Sequence, residues 1–183
     1  MRIKKVKVTG EDRVHIAYET MNNGQWDEFS LTCAQKAAPG FYEALKDLVP
    51  HVVEICELPK EYSSRIAVQG VSASYAGEKE VMGATILAAL LLDHSNCNLN
   101  LNTPYKISES YSDGPGDEKQ LMTDECCKAL EELYEECEKY IRGLRVQIEL
   151  FAGDPRKSQK AAASTGKKKS KRLCHPTPLR RLC

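Results

Sequence analysis

The chain has 183 residues, 42% of them hydrophobic and 28% charged, which suits one domain of ordinary size and excludes a chain that is disordered by composition. The formal net charge of zero hides a split. All 26 acidic residues lie at or before Asp154 but only 16 of the 26 basic ones do, so residues 1–154 carry a net −10 and residues 155–183 carry +10. The start, Met1-Arg2-Ile3-Lys4-Lys5, has no apolar h-region and the longest apolar stretch, Val81 to Leu92, is too short to span a bilayer, so a soluble cytoplasmic protein is expected.

In chain order, Val6 and Val8 set between lysines, then Val14, Ile16 and Tyr18, predict two strands joined by a turn at Thr9 to Asp12. Asn22-Asn23-Gly24 signals a second turn, after which Phe29, Leu31 and Cys33 alternate with polar residues, completing a three-stranded meander. Phe41, Leu45 and Leu48 recur at helical spacing until Pro50 breaks or kinks the helix, and Val52, Val53 and Cys56 continue it to Pro59. Alternation returns at Ile66 and Val68 and changes parity at Gly70. A β-bulge there would keep Ile66, Val68, Val71, Ala73 and Tyr75 on one face.

Val81 to Leu92 is ambiguous between strand and helix, with Thr85, Ile86 and the flanking turns favouring a strand. Cys97, Leu99 and Leu101 then alternate with a row of asparagines, predicting a strand with one wet side; the row could bind a polar ligand or simply be solvated. Residues 104–121 lack any period and read as an exposed loop around Asp113-Gly114-Pro115-Gly116. Thr123 offers an N-cap, followed by Cys126, Leu130, Leu133, Cys137, Tyr140 and Leu144 at steps of four and three, the clearest helix in the chain. Glu135 to Lys139 and Glu138 to Arg142 are pairs suited to its exposed face.

The expected fold is therefore α+β, a mostly antiparallel sheet of about six strands in β-β-β-α-β-β-β-α order with a long amphipathic helix packed on one face. Residues 1–152 form an acidic domain and 153–183 a disordered basic tail, with no internal repeat in the sequence.

The eight cysteines have irregular spacing and no export signal, so reduced thiols are expected, with Cys33, Cys97 and Cys137 on apolar phases as core residues. Cys126-Cys127 lacks the CxxC or HxxxH partners of a zinc site, and neither a metal nor a cofactor is expected. Thr165-Gly166-Lys167 has Ala161 and Lys168 where a phosphate loop needs Gly and Ser or Thr. No Gly-x-Ser-x-Gly elbow occurs, and His15, His51, His94 and His175 fall in no catalytic pattern, so an enzyme is not the favoured reading.

Two segments suggest binding. Gln147-Ile148-Glu149-Leu150-Phe151 resembles the pentapeptide with which bacterial replication and repair proteins dock on the β sliding clamp. The resemblance implies that Leu150 and Phe151 enter an apolar pocket, that Gln147 hydrogen-bonds at a second site, and that Ile148 is a mild variant of its position. Glu149 stands where the family prefers Asp or Ser. The same stretch, with Val146, Ile148 and Leu150 alternating, also reads as an edge strand closing the sheet. The basic block Lys167, Lys168, Lys169, Lys171 and Arg172 could make nonspecific, salt-sensitive contact with nucleic acid or serve as a solvated tail.

Asn23 to Phe29, Phe41 to Leu45, Glu54 to Pro59, Leu101 to Pro104 and Gln147 to Phe151 together resemble uncharacterised proteins carried by phages and prophages of Gram-positive bacteria. The resemblance implies a setting, phage DNA metabolism or host takeover, without a mechanism. The expected function is a non-enzymatic accessory or adaptor in DNA replication or recombination, docked on the sliding clamp. The alternative is an acidic inhibitor of a host nucleic-acid-binding or defence protein, using the eleven carboxylates of residues 109–138. Oligomeric state has no sequence signal.

Overall fold

A computed structural model describes residues 1–10, 13–77, 79–95, 97–110 and 118–145. These build β1 (Arg2–Thr9), β2 (Arg13–Asn22), β3 (Gln25–Cys33), α1 (Pro39–Asp47), α2 (Val49–Ile55), a 3-10 turn at Lys60–Arg65, β4 (Ile66–Ala76), β5 (Val81–Leu91), β6 (Asn98–Asn102), β7 (Lys106–Ile107) and α3 (Asp124–Ile141). The fold is α+β. All the pairings between these strands are antiparallel, in the order β3-β2-β1-β4-β5-β6, with β7 beside β5.

Local chemistry explains the turns that shape the first meander. Asn22 pairs with Gln25, leaving Asn23 and Gly24 as a two-residue loop with φ of 49° and 82°. That is the double positive-φ geometry of a hairpin turn whose twist matches its strands, and Asn and Gly are the residues that tolerate it. Pro39 is the first residue of α1 and Pro50 lies in the first turn of α2, where a missing N–H costs little, so the helical run is broken at Leu48.

Antiparallel partners share a face, so the register decides what each side of the sheet carries. One row runs Leu31, Ile16, Val6, Val71, Ile86 across five strands. Phe29, Tyr18 and Ile3 lie on the same face, as do Cys33, Val14 and Val8. The parity change in β4 is a bulge between Val68 and Gly70, which puts Ile66 and Val68 on the face of Val71, Ala73 and Tyr75. A second bulge, between Ile3 and Lys5, does the same for Ile3 and Val6 in β1.

The three helices cover the middle of this apolar face, while Phe29 on β3 stays exposed. Phe41, Leu45, Leu48, Val52 and Val53 from α1, α2 and the residue between them form one core with the sheet row and with Cys126, Leu130, Leu133, Cys137 and Tyr140 of α3. Each such aliphatic side chain, when fully buried, contributes about 1.5–3 kcal/mol. Thr123 caps α3, its hydroxyl accepting from the Cys126 N–H at 3.3 Å, and Asp124 and Glu125 in the first turn complement the helix dipole.

The two meanders have the same course although the sequence shows no repeat. β1-β2-β3 and β4-β5-β6 each run outward from the centre and each is followed by helix, and their first strands meet antiparallel at Val6 and Val71. The β1–β4 seam is the sheet's joint between the halves.

Several expectations need correction. The stretch 104–121, read as an exposed loop, holds the short strand Lys106–Ile107, which pairs with β5 and buries Ile107 fully. Cys97 is exposed, since it precedes β6 at the sheet margin beyond the helices; Cys137 is buried and Cys33 partly so. Leu144 is exposed because α3 stops at Ile141, before the apolar stripe returns to the core. Lys139 pairs with Glu136 at 2.6 Å rather than with Glu135, whereas Glu138 and Arg142 pair at 3.0 Å as anticipated. The turn residues Glu11 and Asp12, the Asp113 to Gly116 loop and everything after Arg145 lie outside the described residues. Among the described residues no helix is long and apolar enough to cross a membrane.

Candidate functional site

Three surfaces carry the chemistry. The first is the point where the chain leaves α3. The helix closes with the Leu144 N–H donating to the Lys139 carbonyl at 3.0 Å, and Arg145 then bridges Ala37 in the segment after β3. Arg145 is held by its own side chain as well. Its Nε donates to the Tyr140 carbonyl at 3.3 Å, a terminal nitrogen donates to Gln35 Oε1 at 3.1 Å, and the guanidinium lies 4.7 Å from the Tyr140 ring centre. Tyr140, buried in the core, donates its hydroxyl to the Gln35 carbonyl at 2.6 Å. The exit is thus clamped between a core tyrosine and the 35–37 segment. Gln147, Ile148, Leu150 and Phe151 follow shortly after and lie outside the described residues, as do Lys167, Lys168, Lys169, Lys171 and Arg172.

The second surface is acidic. Glu43 and Asp47 of α1 and Glu132, Glu135 and Glu136 of α3 line a shallow cavity of about 260 Å³. The Glu136 carboxylate packs close to Gly40 in the first turn of α1, where negative charge is favoured, and is also held by Lys139. The other acids stay clustered because the apolar stripes of α1 and α3 both turn inward, leaving their polar faces side by side.

The third surface is the sheet face away from the helices. One row runs Thr32, His15, Lys7, Gly70, Leu87, Asn102 across six strands and its neighbour runs Ser30, Ala17, Lys5, Ser72, Thr85. His15 Nδ1 and Thr32 Oγ1 are hydrogen-bonded at 2.9 Å. Asn98, Asn100 and Asn102 form the exposed amide row at one margin. Sequence reading saw the amides and His15 but not the two rows, because which side chains share a face across β1 and β4 depends on a pairing between residues more than 60 positions apart.

The exposed His15–Thr32 contact pairs a hydroxyl with an imidazole, and the cysteines of the domain are held in their thiol form. Burial pushes the Cys126 thiol up to about 12, with Cys127 and Glu54 adding to the effect, and burial likewise raises Cys137, Cys127 and Cys56. Such thiols are protonated at neutral pH and are poor nucleophiles. Among the described residues no group of three or more His, Cys, Asp or Glu is placed to hold a metal ion. A cavity of about 730 Å³ beside α2, lined by Pro50, Val53, Glu54, Glu57, Leu58, Lys60 and Ser63, is not next to the amide row.

No protein-family model, curated protein or solved structure matches the chain.

Proposed function

We propose that the protein is a non-enzymatic adaptor in DNA replication or recombination that docks on a sliding clamp through Gln147, Ile148, Leu150 and Phe151. The observation that supports this reading is the anchored exit at Arg145. A docking peptide is useful when it leaves its domain from a fixed point, because the tether length then sets the effective concentration of everything the domain carries. Here Gln147 comes two positions after a residue held by Tyr140, Gln35 and Ala37. The phage setting implied by the sequence resemblance agrees with such a role, and the tail Lys167 to Arg172 supplies a second, nonspecific contact to nucleic acid.

The test is capture of the full chain on purified bacterial sliding clamp. The parent chain binds and Leu150→Ala plus Phe151→Ala does not; retained binding by the double variant ends the proposal.

The acidic cavity between α1 and α3 favours one second reading, an inhibitor that presents carboxylates to a basic host protein in place of phosphates. On that reading, Gln replacements at Glu131, Glu132, Glu135 and Glu136 abolish partner binding, while the Leu150 and Phe151 changes do not.

A further inference from the structure

The central strand of the sheet carries charge opposite to that of the helices, on a face that also holds Glu19 and Glu28 toward the β2–β3 side. The three helices carry ten carboxylates against Lys46, Lys128 and Lys139. The central strand β1 carries Arg2, Lys4, Lys5 and Lys7 and no acid. Arg2 pairs with Glu80 and stacks 3.7 Å above the Trp26 ring, and Lys4 pairs with Glu19 at 3.1 Å. Lys5 and Lys7 are exposed and make no ion pair among the described residues. Two residues apart in a strand, they stand about 6.8 Å from each other on one face, close to the separation of successive phosphates on a nucleic-acid strand.

Their neighbours are small or polar. Ala17 and Ser72 flank Lys5, and His15 and Gly70 flank Lys7. Beyond these, Ser30, Thr32, Thr85 and Asn102 offer hydroxyl and amide donors. Six strands at about 4.8 Å spacing make a platform about 24 Å across, comparable to the diameter of a duplex.

From this geometry we propose that the open sheet face binds the phosphate backbone of duplex DNA, with Lys5 and Lys7 as its charged centre. A protein partner would need apolar surface to bury, and the two rows offer little beyond Ala17 and Leu87. Single strands are bound by stacking on aromatic rings, which the rows lack: Trp26 is covered by Arg2, and the Tyr105 hydroxyl is tied to Ser74 Oγ at 2.8 Å. Lysine point charges with Ser, Thr and Asn donors suit phosphate oxygens without reading bases. This contact is independent of Gln147–Phe151, so it can fail or stand apart from clamp docking.

The experiment is a fluorescence-anisotropy titration of the full chain with a short mixed-sequence duplex, without clamp, between about 50 and 200 mM salt. Lys5→Gln plus Lys7→Gln lowers the magnitude of the log K against log salt slope by about 2, at roughly 0.9 for each phosphate that is no longer neutralised. A chain with all ten basic residues of the tail (Arg156, Lys157, Lys160, Lys167, Lys168, Lys169, Lys171, Arg172, Arg180 and Arg181) changed to Gln still binds, and adding the Lys5 and Lys7 changes to it removes what remains. Ser72→Glu, at an exposed position beside Lys5, weakens binding in the same background, while Lys5→Arg plus Lys7→Arg retains it. Circular dichroism melts check that each variant is folded.

An unchanged slope in the Lys5 and Lys7 variant overturns the proposal, as does absence of duplex binding by the tail-neutralised chain. Tighter binding to single strands of equal length would overturn the choice of duplex. Self-association of the chain that disappears in the same variants, without any DNA binding, would assign the face instead to a second copy's acidic helices.

Discussion

The β1–β4 seam can be tested at one atom. A Cβ added at Gly70 would fall on the Val6 carbonyl oxygen and within 2.9 Å of Lys7 Cα and the Val6 carbonyl carbon. All of these are backbone, so the clash cannot be relieved by turning a side chain. Gly70→Ala must therefore push β1 away from β4, where only Lys5, Val6 and Lys7 pair with Ser72, Val71 and Gly70. Overpacking costs about 1–3 kcal/mol and each displaced hydrogen bond about 1 kcal/mol, so the expected loss is about 3 kcal/mol. With a urea m-value of about 2 kcal/mol/M, the unfolding midpoint falls by about 1.5 M. Ser72→Ala, exposed two residues along the same strand, shifts stability by no more than about 0.5 kcal/mol and serves as the control. A Gly70→Ala midpoint within about 0.3 M of the parent would refute the claim that the halves meet in this close backbone approach.

Other outcomes follow from particular interactions. Thr123→Ala removes the hydroxyl that caps α3 and lowers stability by about 1 kcal/mol in urea melts; no loss would mean that the cap is not formed. In the native protein, iodoacetamide alkylates exposed Cys97 and leaves Cys126 and Cys137 intact by mass spectrometry, whereas rapid labelling of Cys137 would contradict its burial. The raised thiols also set an alkaline limit. Their protonated forms are favoured by the fold, so the stability they hold is complete below the ordinary thiol value of 9.0 and is lost as pH rises toward about 12, where Cys126 itself titrates. Urea midpoints should fall between pH 9 and about 12, and Cys126→Ala should flatten the fall; a flat profile in the parent would contradict the raised thiol values.

Features set by neighbouring residues were legible in the sequence. The Asn23-Gly24 hairpin, the break before Pro50, the β4 bulge and the Thr123 cap all depend on a few adjacent side chains and backbone angles. What escaped depends on distant partners. β7 is only two residues long in a stretch rich in Ser and Pro, so it has no period of its own, and it exists because β5 extends past β6. Cys97 has the parity of Leu99 and Leu101, but parity cannot tell that β6 is the sheet's margin, where Leu99 itself is exposed. The clamp-like pentapeptide is visible as a motif, while the Lys5 and Lys7 platform emerges only once β1 is known to be central and paired with β4.

The adaptor reading stands or falls on whether the pentapeptide alone competes for the clamp. In an equilibrium titration of labelled full chain against purified sliding clamp, a synthetic peptide spanning Gln147 to Phe151 should displace the protein completely, and the same peptide with alanine at Leu150 and Phe151 should displace none. Full-chain binding that the parent peptide leaves untouched, or the absence of any binding, would contradict it.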